Sequence, residues 1–110
     1  MNTRLMAVVL AAAAFTIGGT AQADGNADTG KKKTQMCAGC HGIEGFRTAY
    51  PEVYTVPKLG GQSANYIVAA LKAYKTGDRS HPSMRAIAGS LSDQDMADLA
   101  AYYASVGKAQ

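Results

Sequence analysis

The sequence is poor in the large side chains from which a small domain usually builds its interior. Among its 110 residues there is no tryptophan, and only two residues are phenylalanine. Cysteine and histidine are scarce as well, with two of each. So few large apolar residues predict that a further apolar group has to complete the core.

An excess of one charge is also missing, because 11 Lys and Arg face 8 Asp and Glu, for a net charge of +3. The one basic run, Lys31 to Lys33, is typical of a solvated helix face. After residue 23 the sequence has no internal repeat, no low-complexity segment and no alternating strand pattern. These absences argue against a nucleic-acid-binding role and against a repeat or β-rich fold.

The first 23 residues have the layout of a secretory signal peptide. An apolar run from Leu5 to Ile17 follows Arg4, and Ala21-Gln22-Ala23 supplies the small residues of a cleavage site. The run is shorter than the ~20 residues of a spanning helix, so an uncleaved anchor is the weaker interpretation. We therefore expect residues 1–23 to be cleaved, residues 24–110 to form one domain, and the product to reach the periplasm without stable membrane insertion.

The two cysteines lie in the segment Cys37-Ala38-Gly39-Cys40-His41, which has the C-x-x-C-H pattern of c-type haem attachment. Two thiols at this spacing reach the two vinyl groups of one haem, and the next residue then lies under the iron. A purely structural disulfide is a poor explanation, because so short a loop removes little entropy from the unfolded chain. The pattern predicts one covalently attached haem c per chain, with His41 as an axial ligand of the iron.

Two other uses of the thiols remain open at this point. A thioredoxin-like dithiol requires a strand before the motif, whereas the surrounding residues have helical character. A zinc site requires four ligands, and His81 is the only histidine left to join Cys37, Cys40 and His41.

The second axial ligand decides between an electron carrier and a protein with an open iron position. Met36 adjoins the attachment motif, and Met96 continues the apolar stripe of a helix. Met84 lies instead in a polar stretch, 77–85, that we expect to be irregular and without an apolar face for a methionine to join. Met84 is therefore the predicted ligand and His81 the alternative, because His/Met and His/His pairs are both common.

Apolar spacing and capping residues predict three main helices. The first begins at a cap at Asp28 and runs through Gln35 into the attachment motif. The second begins after Ser63 and stops at Gly77, and its apolar stripe is expected to line the haem pocket.

The third helix begins after Leu91 with a capping box formed by Ser92 and Asp95, and it ends near Gly107. The long connections 42–62 and 78–90 are expected to wrap around the haem. The haem-free chain is expected to be largely unfolded.

With these residues identified, residues 28–107 resemble the class I cytochromes c, in particular small bacterial mono-haem proteins and single halves of di-haem relatives. The matching features are Gly30 before the motif, the Cys37–His41 motif, the pattern Pro57-x-Leu59-x-Gly61-Gln62, Met84, and the segment from Leu91 to Tyr103. The resemblance implies an all-α cytochrome c fold. It also implies that Gly30 permits a close helix crossing and that the Pro57 carbonyl accepts a hydrogen bond from His41.

The same resemblance implies an electron-transfer protein, not an enzyme, that exchanges single electrons with donor and acceptor proteins. We expect a monomer that docks transiently through a charged rim of Lys72, Lys75, Arg79 and Arg85. The alternatives are a haem subunit of a larger dehydrogenase and a sensor whose iron has an open position. No role is assigned to residues 47–55.

Overall fold

Helices make up most of the structure, a computed structural model that describes residues 24–49 and 53–107. The five helices are α1 (Ala27–Lys32), α2 (Gln35–His41), α3 (Ala64–Thr76), α4 (Pro82–Gly89) and α5 (Asp93–Ser105). The described residues contain no strand, only an isolated antiparallel bridge between Arg47 and Thr55. The predicted all-α class is therefore confirmed, while the predicted signal peptide lies outside the described residues.

The first predicted helix is divided into α1 and α2. Its cap is Asn26, whose side chain accepts a 2.9 Å hydrogen bond from the Thr29 amide, so the predicted cap at Asp28 was wrong. The break follows Lys32, where the Thr34 hydroxyl donates a 2.8 Å hydrogen bond to the Lys31 carbonyl. Threonine hydroxyls compete with backbone amides for such carbonyls, which ends α1 before the attachment motif begins.

Helix α3 has the predicted ends. The Ser63 side chain accepts a 3.1 Å hydrogen bond from the Tyr66 amide, and Gly77 ends the helix with a φ of 93°. That left-handed conformation strongly favours glycine. The predicted stripe supplies Ile67 and Leu71 to the core, whereas the Tyr66 ring is half exposed.

Helix α4 was not predicted, and it occupies part of the 77–85 stretch expected to be irregular and of the 78–90 stretch expected to be a long connection, so both expectations were wrong. Pro82 is the first residue of α4, where its fixed φ suits a helix and its missing amide costs no hydrogen bond. Met84 and Ala88 lie four residues apart on one face of α4 and contact the core cluster, and α4 packs on α3. Two core contacts in eight residues are a weak sequence signal for a helix, and the cap His81 is not a usual N-cap residue, so the helix was missed.

Helix α5 begins with the predicted capping box. The Ser92 side chain accepts a 3.1 Å hydrogen bond from the Asp95 amide, and the Asp95 carboxylate accepts one of 2.9 Å from the Ser92 amide. Met96 and Leu99 are the largest fully buried side chains, so the assignment of Met96 to the core was correct. Within the described ranges no helix is both long and apolar enough to cross a membrane.

The contact between α1 and α5 depends on Gly30. A Cβ atom at this position lies 2.0 Å from the Asp98 carbonyl oxygen and 3.0 Å from the Tyr102 Cβ. Only glycine fits where a backbone approaches so closely. The close crossing implied by the family resemblance is therefore present.

Replacing Gly30 by alanine is expected to destabilise the holoprotein strongly. The obstacle is a backbone carbonyl, so the cost should reach or exceed the ~1–3 kcal/mol of ordinary overpacking. For a domain of this size, each kcal/mol corresponds to about 4–8 °C in the thermal midpoint. The control is Gly89→Ala, where a Cβ meets nothing within 4 Å. Equal midpoints for the two variants would contradict this account of the crossing.

A buried carboxylate, that of Asp98, joins the start of the domain to α5. Asp98 is 3% exposed and accepts hydrogen bonds from the Asn26 amide (2.8 Å), Lys33 Nζ (2.7 Å) and Gln94 Nε2 (2.9 Å). Lys33 Nζ also lies 2.7 Å from the Asp95 carboxylate. The sequence predicted a solvated face for the run Lys31 to Lys33. That prediction was wrong for Lys33, which pairs with two carboxylates of α5.

These contacts favour the charged form of both carboxylates. The hydrogen bond from Lys33 is the main reason why the pKa of Asp95 falls from 3.8 to about 2. The pKa of Asp98 is lowered chiefly by the Asn26 amide and then by Lys33. Because the folded-state pKa values lie below the ordinary value, this stabilisation is present above about pH 4 and is lost as the pH falls toward 2.

Asp98→Asn is expected to lower the free energy of unfolding at pH 7. The amide nitrogen of asparagine cannot accept the hydrogen bonds that one carboxylate oxygen of Asp98 accepts. Leaving a buried donor unpaired costs about 1–3 kcal/mol. The variant should also lose less stability than the wild type between pH 4 and 2. Denaturant unfolding of the holoproteins at several pH values measures both effects, with exposed Asp93→Asn as the control. An unchanged acid dependence in Asp98→Asn would contradict the assignment.

Candidate functional site

Cys37 and Cys40 lie on one face of α2, about one helical turn apart. Both thiols are free, with Cys37 half-buried and Cys40 exposed. A single group lying along this face can therefore meet both sulfur atoms. Met36 and Ile43, which flank the motif in the sequence, expose 49% and 52% of their surface.

Cys37 borders the core and hydrogen bonds with Tyr103 of α5. Burial raises the pKa of the Cys37 thiol, and the Tyr103 hydrogen bond offsets part of this rise. Burial also raises the pKa of the Tyr103 hydroxyl, and the neighbouring thiol adds to the effect. Both groups are thus neutral at pH 7. This contact was not predicted, since sequence spacing does not show which α5 residue meets the motif.

His41 is the last residue of α2, and its ring has a fixed orientation. Nδ1 lies 2.7 Å from the Pro57 carbonyl oxygen. A carbonyl only accepts hydrogen bonds, so Nδ1 carries the proton and the lone pair of a neutral ring is on Nε2. The ring is therefore prepared to bind a metal through Nε2, in the way that metal-bound histidines are usually oriented by a carbonyl.

The segment that presents Pro57 is fixed at both ends by backbone hydrogen bonds. The Val56 amide donates to the Phe46 carbonyl at 2.9 Å, and the Gly61 amide donates to the Tyr103 carbonyl at 2.9 Å. Because the second bond reaches α5, the Pro57 carbonyl is held relative to the helix that also contacts Cys37.

Met84 lies in the first turn of α4 and is half-buried. Its side chain packs against the same core cluster that Cys37 borders, so the expectation that it had no apolar face to join was wrong. The structure thus brings Met84 and Cys37, which are distant in sequence, to the edge of one core.

His81, the alternative ligand, forms the N-cap of α4. Its Nδ1 accepts a 3.3 Å hydrogen bond from the Met84 amide, and its ring centroid lies 4.8 Å from that of Tyr54. Across the described part of the chain, no three His, Cys, Asp or Glu side chains come together as a metal-binding group. His81 therefore does not lie with Cys37, Cys40 and His41 in a zinc-like cluster.

The four cations of the predicted rim have different surroundings. Lys72 is exposed, whereas Lys75 Nζ donates to the Leu91 carbonyl and is turned toward the protein. Arg79 and Arg85 line a cavity of about 220 Å³ beside the start of α4.

Arg79 is held over the Tyr74 ring, with its guanidinium carbon 4.6 Å from the ring centroid. Such a cation–π contact leaves the charge at the surface while restricting its position.

The residues around α2 fit a large apolar group with a metal at its centre. Two free thiols lie on one helix face, exposed apolar side chains flank them, and an imidazole with a directed lone pair follows directly. A thioredoxin-like dithiol lacks its required context, because no strand precedes the motif in the described residues.

Comparison with known proteins also indicates a haem-binding protein. Residues 27–107 match the family described as Cytochrome c. The chain is similar to cytochrome c4 of Pseudomonas aeruginosa, with 38% identity over 107 residues, covering 96% of this chain and 49% of that protein. It is also similar to cytochrome c-554(548) of Halomonas halodenitrificans, with 43% identity over 84 residues, covering 74% of this chain and 96% of that protein.

A solved structure has the same fold. Reduced recombinant cytochrome c4 from Pseudomonas stutzeri superposes with a TM-score of 0.59 at 34% identity, covering 74% of this chain and 46% of that chain. This chain therefore spans about half the length of the cytochrome c4 relatives that it matches. Together with the thiol and imidazole geometry, these matches show that the chain belongs to the cytochrome c family and that its cofactor is a covalently attached haem c.

Proposed function

We propose that this protein is an electron carrier whose haem is bound by Cys37 and Cys40 and ligated by His41 and Met84. The observation that carries the proposal is the 2.7 Å contact between His41 Nδ1 and the Pro57 carbonyl, directly after the two thiols. On attachment, the Cys37 and Cys40 thiols would each add across one vinyl group of the haem, with a sulfur–carbon bond formed and the thiol hydrogen passed to the other vinyl carbon. No electrons are gained or lost in this attachment.

His41 and Met84 give the site its chemical character. The bound haem supplies a one-electron couple between ferric and ferrous iron. His41 would bind the iron through Nε2 while Pro57 fixes its ring, and Met84 would supply a thioether sulfur as the second ligand. A thioether raises the reduction potential relative to a second imidazole. With His41 and Met84 both bound to the iron, the site would favour electron transfer over catalysis, and we assign no enzymatic activity.

The partners of this carrier are redox proteins, one donor and one acceptor. Arg79 and Arg85 supply positive charge beside the start of α4, and Lys72 is exposed on α3; such charges suit brief, charge-steered docking. Small interfaces of this type turn over quickly. We further propose that the protein works in the periplasm after removal of residues 1–23, as a monomer.

A second candidate function is that of a haem subunit in a larger dehydrogenase. It is favoured by similarity to a protein named cytochrome subunit of sulfide dehydrogenase from Chlorobaculum tepidum, with 31% identity over 72 residues. The same haem site serves either function. The difference lies in the lifetime of the contact, because obligate interfaces are larger and more hydrophobic.

The test is a redox titration of the purified holoprotein in which the optical spectrum is recorded at each potential. A carrier is expected to show one reversible one-electron transition and no turnover of peroxide. A two-electron transition, or steady consumption of peroxide, would contradict the proposal. Size-exclusion chromatography of the natively expressed protein separates the two candidates, because a shuttle elutes alone and a subunit elutes with its dehydrogenase.

A further inference from the structure

Tyr54, which lies in a stretch with no role assigned from the sequence, makes a specific contact with His81, the residue that caps the helix carrying Met84. The Tyr54 and His81 rings lie with their centroids 4.8 Å apart and their planes at 52°. This tilted arrangement is within the preferred range for aromatic pairs. His81 is half-buried, whereas Tyr54 remains 41% exposed.

Tyr54 is held in place by the backbone around it. The Thr48 amide donates a 2.9 Å hydrogen bond to the Tyr54 carbonyl, and the Tyr54 amide donates one of 3.1 Å to the Thr48 hydroxyl. The bridge between Arg47 and Thr55 joins the same two backbone stretches. The backbone that presents the Tyr54 ring is thus paired with residues 47 and 48.

This backbone continues directly into the residue that orients His41. Pro57 follows Tyr54 by three positions, and its carbonyl lies 2.7 Å from His41 Nδ1. One short segment therefore contacts both histidines of the chain, His41 through Pro57 and His81 through Tyr54.

His81 has a capping role that is unusual for its residue type. Its backbone is extended, with φ −159° and ψ 112°, and its Nδ1 accepts the Met84 amide at 3.3 Å. Ser, Thr, Asp and Asn are the usual N-caps. An imidazole that is not held in this position is also a strong iron ligand, only three residues from the proposed ligand Met84.

We propose that Tyr54 positions His81 as the cap of α4, so that His81 directs Met84 toward the iron and does not itself become the ligand. The inference rests on the His41/Met84 ligation proposed above. Tyr54 and His81 are positioning residues, acting through Met84. The ring contact restricts His81 to the rotamer in which Nδ1 faces the Met84 amide.

The experiment compares four holoproteins: wild type, Tyr54→Phe, Tyr54→Ala, and the double variant Tyr54→Ala/His81→Asn. The measurements are the far-red band of thioether-ligated ferric haem and the reduction potential. Tyr54→Phe keeps the ring and should match the wild type. Tyr54→Ala should lose far-red intensity and shift to a lower potential, because His81 replaces Met84 in part of the molecules.

The double variant separates this effect from a general loosening of the fold. Asparagine caps a helix but offers no imidazole, so the double variant should regain the far-red band and the higher potential. Two results would overturn the inference: an unchanged band in Tyr54→Ala, or a lost band that the double variant fails to regain. Absence of the band from the wild type would instead refute the Met84 ligation, and the inference with it.

Discussion

Met84→Ala is expected to remove the far-red band of the ferric protein, make the ferrous protein bind carbon monoxide and lower its reduction potential. The variant removes the only side chain that we assign to the second axial position, while the thioethers and His41 still hold the haem. Axial ligands shift haem potentials over a range of roughly 0.8 V, so a change of ligand is a large effect. The loss of Met84 packing against the core should add a moderate destabilisation.

Met96→Leu is the matched control for this variant. Met96 is fully buried in α5 and has no proposed contact with iron. Replacement of methionine by leucine conserves volume and usually costs less than about 1.5 kcal/mol. The control should therefore keep the far-red band and the potential of the wild type. A band that survives Met84→Ala, or disappears only in Met96→Leu, would mean that Met84 is not the ligand.

The double variant Cys37→Ala/Cys40→Ala is expected to lose covalent haem completely. No thiol is then available to form a thioether, so the haem becomes extractable with acidified organic solvent. Denaturing electrophoresis with haem staining, together with intact mass, measures the loss. Gly39→Ala is the control between the two cysteines, since a Cβ there meets nothing within 4 Å. Retention of stained haem in the double variant would refute attachment at these residues.

The same variant, freed of any non-covalent haem, tests the contribution of haem to folding. In the described residues the core is small, and its largest fully buried side chains are Met96 and Leu99. Cys37 and Met84 border that core on the side where the haem is proposed to bind. We expect the haem-free chain to be largely unfolded, with little helical circular dichroism and no cooperative melt. A cooperative transition in the haem-free protein would show that its own side chains suffice.

The sequence predicted those helix ends that are determined by residues within one turn of each other. The caps of α3 and α5 were predicted because Ser63 and the Ser92–Asp95 pair satisfy helix-end amides within one turn. Helix α4 was missed because its start depends on His81, a residue that is not a usual cap. The break after α1 was missed because a threonine within a lysine-rich segment gives no clear stop signal.

The same distinction between local patterns and long-range contacts applies to the functional site. The spacing of Cys37, Cys40 and His41 is local, so the sequence predicted covalent haem, and the family match confirms this cofactor. The contact of Asp98 with Lys33 and that of Tyr54 with His81 join segments distant in the chain. Such pairs depend on tertiary packing, which composition and periodicity do not specify.

The optical spectrum of the wild-type holoprotein, ferric and then ferrous with added carbon monoxide, tests the central claim most directly. Ligation by His41 and Met84 predicts a low-spin ferric spectrum with the far-red thioether band and no response of the ferrous protein to carbon monoxide. A high-spin ferric spectrum, with a ferrous form that binds carbon monoxide, would show an open axial position. That result would contradict the electron-carrier assignment and favour a sensor or a catalyst.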